Sequence, residues 1–154
     1  MQLMKKTSFL IIIFFFLNFY GQILDNIKKQ DTIYFYFNHG KYQSTVYENI
    51  EKNAEKKRRE HFCYKLSSQE YFTLVYNEIW DFEGNLTDVR VLKKSFLRKN
   101  KKNIITIDEI LKYGMRNIIE NISQKTIYVI DSKEEKNGKI TVRQVILISS
   151  FTVE

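Results

Sequence analysis

The chain has 154 residues, with 25 Lys and Arg against 18 Asp and Glu, a net charge of +7 and no proline. At 44% hydrophobic and 28% charged it lies outside the composition of a disordered chain, and its length suits one domain. Its single cysteine, Cys63, excludes an internal disulfide, so an ordinary core must supply the stability.

Lys5 and Lys6 precede Phe9 to Leu17, an unbroken run of nine apolar residues. That is the length of a signal-peptide core; a spanning helix needs about 20 residues. A cut after Gly21 is expected, giving a signal peptide at 1–21 and one globular domain at 22–154. The lesser alternative is an uncleaved inner-membrane anchor completed by Ile23 and Leu24. Phe19-Tyr20-Gly21-Gln22, Asp31 to Phe35, Lys94 to Lys102 and Ile127 to Asp131 resemble segments of small exported proteins of Bacteroidota. The resemblance implies export, to the periplasm or beyond the cell, and no activity.

Ile33, Phe35 and Phe37 alternate with Tyr34 and Tyr36, which predicts a strand ending at Asn38-His39-Gly40. From Val46 to Glu60, the pairs Glu48–Lys52 and Glu55–Arg59 stand four apart, which predicts a short exposed helix. Phe62, Tyr64 and Leu66 share one strand face, opposite His61, Cys63 and Lys65. Tyr71 to Trp80 reads as a strand that turns at Asp81 to Asn85 and returns over Thr87 to Leu97, fraying into a loop from Arg98 to Asn103. Thr106 and Glu109 form a capping box for a helix over Ile107 to Asn121, whose apolar face is Ile107, Ile110, Leu111, Met115, Ile118, Ile119 and Ile122. Gly114 within it suggests close approach to a sheet. A hairpin closes the chain: Thr126 to Asp131, a turn at Asn137-Gly138, then Lys139 to Phe151, with the last half covered on both faces. The order implies α+β, an antiparallel sheet of five to six strands with one main helix on one face.

The chemistry in these elements is sparse. His61 and Cys63 share a strand face, but a metal site needs three or four ligands and His39 is the only other histidine. Asp81 to Asn85 misses the spacing of a calcium loop. Tyr34, Tyr36, Tyr71 and Trp80 form a candidate platform for a sugar ring. Asp31-Thr32-Ile33 resembles the O-glycosylation sequence of exported Bacteroidota proteins. No cofactor, metal or catalytic motif is called for, and nucleic acid is not an expected partner.

One cluster has no acid inside it: Lys93, Lys94, Arg98, Lys99, Lys101 and Lys102. The expectation is therefore a non-enzymatic exported binding protein that recognises a protein or an envelope component through its sheet face and this basic loop. The alternative is a small exported hydrolase around His61. A structural envelope protein or a toxin-bound immunity protein gives the same sequence signals.

Overall fold

The structure, a computed structural model, describes residues 22–52, 55–77 and 88–149. The expected signal peptide, Trp80, the turn at Asp81 to Asn85 and Phe151 lie outside the described residues. In chain order the elements are helix α1 (Gln22–Lys29), strands β1 (Thr32–Phe37), β2 (Gln43–Lys52), β3 (Glu55–Lys65), β4 (Tyr71–Asn77) and β5 (Val89–Lys93), and helix α2 (Ser95–Lys99). A 3-10 turn (Lys101–Asn103), strand β6 (Ile104–Ile105), helices α3 (Ile107–Tyr113) and α4 (Met115–Ile122) and strand β7 (Thr126–Asp131) follow. A second 3-10 turn (Ser132–Glu134) and strand β8 (Lys139–Ser149) complete them. The fold is α+β, as expected, but among the described residues the sheet has eight strands and is mixed, and four short helices replace the single main one.

The parallel part comes from β1. It lies between β6 and β7 and runs parallel to both, so α3 and α4 form the crossover connecting two parallel strands. Period-2 alternation then sorts the side chains into two layers. Ile33, Phe35 and Phe37 join Phe62, Tyr64, Phe72, Leu74, Ile127 and Val129 on an inner face, where Ile27 of α1 and Ile110, Met115, Ile118, Ile119 and Ile122 of α3 and α4 cover them. Tyr34, Tyr36, Tyr128, Ile130, Ile140 and Val142 line the outer face, where Phe96 and Leu97 of α2 pack.

β1 and β3 are four ladder steps apart in the order β2-β3-β4-β8-β7-β1-β6. That is about 19 Å along a flat sheet. Yet the rings of Phe37 and Phe62 have centroids 5.1 Å apart, and those of Phe35 and Tyr64 are 5.7 Å apart. The sheet must therefore curl until its inner face meets itself. The five-residue link between β1 and β2 brings the two margins of the curl together.

Three expected elements are corrected. Residues expected as a helix from Val46 to Glu60 belong to the β2–β3 hairpin, in which Glu48 faces Arg59 across the ladder with a 3.1 Å ion pair. The same charges satisfy a helical and a cross-strand pattern, and the neighbouring aromatic core decides between them. Over their described residues β4 and β5 do not pair with each other. Val75 pairs with Ile146 and Val89 with Arg143, so both run antiparallel to β8, end to end on the edge opposite β7. The strand expected to run to Leu97 ends at Lys93, and its last residues with the expected loop form helix α2 and the 3-10 turn. The final hairpin is as expected, closing through Asn137 (φ 51°) and Gly138 (φ 69°), the left-handed pair that suits a two-residue turn. Its last half is not covered on both faces, since Ile148 is 45% exposed. Among the described residues, no helix is long and apolar enough to cross a membrane.

The capping box forms through Glu109, whose carboxylate accepts from the Thr106 backbone N–H at 2.8 Å and from the Thr106 hydroxyl. Gly114 does not give close approach. Its φ of 83° and ψ of 140° end α3 and start α4, and the resulting break leaves Leu111 exposed. A Cβ there would meet only Asn117 at 4.0 Å, so any cost of a side chain is conformational. Gly114→Ala is expected to destabilise by about 1–3 kcal/mol. An unbroken helix would instead gain about 1 kcal/mol from the same change. The sign of the shift in a urea titration decides.

Candidate functional site

α2 begins one residue after β5, and its anchors are apolar. Phe96 meets Tyr34 edge-on at 5.0 Å, and Tyr34 stacks on Tyr128 at 5.5 Å. Asn100 closes the helix by donating from its amide to the Phe96 carbonyl at 3.0 Å. With one side held this way, Lys93, Arg98, Lys99, Lys101 and Lys102 are exposed, and none makes an ion pair with another described residue. Lys94 differs from these five. It pairs with Glu135 at 2.5 Å, and Glu135 also accepts from the Tyr36 hydroxyl at 2.8 Å. Burial opposes the Glu135 charge, but the hydrogen bonds from Lys94 and Tyr36 outweigh it and hold the carboxyl below its usual range. Burial and the same carboxylate push the Tyr36 hydroxyl up to about 12. The acid-free run in the sequence thus becomes a ridge of five exposed cations and one tethered lysine.

His61 and Cys63 share the outer face of β3, as expected, where no described helix packs. His61 Nε2 lies 3.3 Å from a Glu48 oxygen, and that oxygen also accepts from Arg59. The hydrogen bond from His61 and the Arg59 charge lower the Glu48 pKa. Cys63 Sγ is 3.7 Å from the Thr73 hydroxyl. The sugar platform is not assembled from the described residues named for it: Tyr34 is stacked in the core, Tyr36 is bonded to Glu135, and Tyr71 lies on a separate part of the sheet. Trp80 is outside the described residues. Among the described residues no group of three or more His, Cys, Asp or Glu side chains is placed to hold a metal.

A second polar assembly was not read from the sequence. At the C-terminal ends of β1 and β7, His39 Nε2 meets Asp131 Oδ1 at 2.7 Å, with both side chains largely buried. Asp131 Oδ1 also accepts from the Lys133 backbone N–H at 2.8 Å. His39 has a φ of 59°, held by this bond and by an edge contact of its ring with Phe37 at 4.7 Å. Beside it, Glu60 pairs with Arg58 at 2.8 Å, and Arg143 grips Glu134 through two 2.5 Å hydrogen bonds. His39 and Asp131 are 92 positions apart, and each reads locally as a strand end. Only the parallel β1–β7 register brings them together.

A polar hollow of about 430 Å³ between the ends of α1 and α4 is lined by Lys28, Asp31, Glu120 and Lys125, among others. The Lys125 ammonium there donates to the Lys28 and Gln30 carbonyls at 3.2 and 2.6 Å, binding α1 to the start of β7. Comparison with family models, curated proteins and solved structures finds no match, so the chemistry rests on this geometry.

Burial raises the Glu60 pKa above its ordinary 4.5, with Arg143 and Arg58 opposing and Glu134 and Asp131 adding to it. A carboxyl with a raised folded value supports the fold while protonated and loses that contribution as pH rises through it. Glu60→Gln is therefore expected to be neutral below about pH 4.5 and stabilising at pH 7. Thermal melts of the two proteins across that range check the sign.

Proposed function

We propose that this chain is an exported, non-enzymatic binding module of the bacterial envelope, and that its contact surface is the basic ridge. The observation supporting this is the ridge itself: Lys93, Arg98, Lys99, Lys101 and Lys102 are exposed on a short element pinned by Phe96 and Leu97, without ion pairs among the described residues. Fixed like charges without counterions raise the local potential and attract an anionic surface. Phosphate-bearing headgroups or an acidic glycan have the chemistry to meet it.

Export rests on Lys5, Lys6 and the apolar run that follows them. A cut after Gly21 would leave α1 whole, keeping Leu24 and Ile27 in the core. The exported form is expected to start at Gln22, and intact-mass measurement checks this; a mass retaining residues 1–21 favours the anchored alternative.

The ridge is tested with vesicles. The protein should bind vesicles containing phosphatidylglycerol and not those of phosphatidylcholine alone, with affinity falling as salt rises. Combined Lys99→Gln, Lys101→Gln and Lys102→Gln should weaken binding by at least about tenfold at low salt and flatten its salt dependence. Equal binding to neutral vesicles, or no change in the triple variant, would remove the ridge from the function.

A further inference from the structure

Strand β5 runs directly into the basic ridge. Among the described residues it pairs with β8 alone, from Val89 to Lys93. Two hydrogen bonds at its ends fix which backbone groups that pairing uses. Gln144 N–H donates to the Asp88 carbonyl at 2.8 Å, and Lys94 N–H donates to the Gly138 carbonyl at 2.7 Å. Bonding alternates along an antiparallel ladder, so Arg90 and Leu92 bond to β8. The N–H and C=O groups of Val89, Val91 and Lys93 point the other way. Such a row of outward groups is what an added strand pairs with.

The side chains at those positions are open to solvent. Val89 is 44% exposed and Val91 64%, while Leu92 on the other face packs on the outer core. Lys93 is exposed in line with them and stands directly across the ladder from exposed Lys139. Like charges placed opposite each other repel, and this is the closer kind of antiparallel pair. Neither lysine makes an ion pair with another described residue. The nearby acids each hold another base: Asp88 holds Arg90, Glu134 holds Arg143 and Glu135 holds Lys94.

These charges select the occupant. A second copy of the chain would bring its own Lys93 and Lys139 to the same margin, and lysines on an edge strand oppose self-pairing. An acidic residue beside Lys93 relieves the repulsion between Lys93 and Lys139. β-Branched or aromatic residues at the next two same-face positions would cover Val91 and Val89. We infer that β5 receives an extended segment of a partner protein as an added strand, acidic beside Lys93 and apolar beside Val91 and Val89. This surface does not depend on the ridge meeting an anionic surface, and of the ridge cations it uses Lys93 alone.

The test uses the full chain and the capped peptide Glu-Thr-Val-Thr-Val-Thr-Glu, which presents the same side chains in either strand direction. Amide NMR at physiological ionic strength damps the pull of the more distant ridge lysines. The peptide is expected to shift the signals of Val89, Val91 and Lys93 and to slow exchange of the Val91 amide by about tenfold. The counterpart Lys-Thr-Val-Thr-Val-Thr-Lys should not bind. Lys93→Glu combined with Lys139→Glu should weaken the acidic peptide by at least about tenfold and admit the basic one. Val91→Pro removes an outward N–H without touching a bond to β8, and should abolish binding. The Lys99, Lys101 and Lys102 triple variant should bind the peptide as the unaltered chain does, so failure at this edge and failure at the ridge are distinguishable. A Val91 amide already slow in the free chain shows the edge to be occupied and overturns the assignment. So does a dimer formed through β5, equal binding of the two peptides, or no binding of the acidic one.

Discussion

Eleven residues of β8 join the two halves of the sheet. Val142 to Val145 pair with β7 on one edge, while Lys139 to Arg143 and then Ile146 to Ser149 pair with β5 and β4 on the other. Among the described residues, the β2–β3–β4 meander reaches β1, β6 and β7 through four β4–β8 register pairs and the aromatic contacts across the curl. Those contacts are close. Tyr64 stacks on Phe72 at 4.6 Å, and Phe35 and Phe37 meet Tyr64, Phe72 and Phe62 edge-on. Edge-to-face aromatic pairs each add about 0.5–1.5 kcal/mol beyond the area they bury. The curl is thus held by rings where backbone pairing is thin.

That curl explains why polar groups and apolar groups can share one inner face. Where α1, α3 and α4 cover the inner face, they supply aliphatic side chains that pack on it. Elsewhere on that face Gln43, Glu60, Asp131 and Arg143 occupy positions that alternation directs inward. Polar residues at inward positions are costly unless paired, and here the charged ones are paired. Of the neutral ones, Gln43 accepts from the Asn38 and Gly40 backbone N–H groups and its side chain lies against the Tyr64 hydroxyl.

Local patterns were legible in the sequence. Period-2 alternation in Ile33 to Phe37 and the Asn137-Gly138 turn each fix their element within a few residues, and both formed. The Thr106–Glu109 capping box did as well. Patterns that depend on a partner were not legible. Glu48 and Arg59 fit a helix or a hairpin equally well until the other strand is known. The collinear placement of β4 and β5 and the parallel seat of β1 depend on β8 and on a helical crossover. Gly114 gives the same letter whether a helix tolerates it or breaks at it. The basic ridge was visible because Lys93 to Lys102 is contiguous and lacks acids. The His39–Asp131 pair was hidden because only the β1–β7 register joins its members.

The distribution of charge connects the two surfaces. Several of the chain's 18 acids are paired with bases: Asp131 with His39, Glu60 with Arg58, Glu134 with Arg143 and Glu135 with Lys94. Matching in these pairs is enforced by burial, since an unmatched charge in a partly desolvated setting is far more costly than one in water. No such demand acts on the exposed Lys99, Lys101 and Lys102, where solvent screens repulsion and lysines can stand together at little cost. Exposed positive charge is left along Lys93 to Lys102, while the inward-facing charges stand in matched pairs.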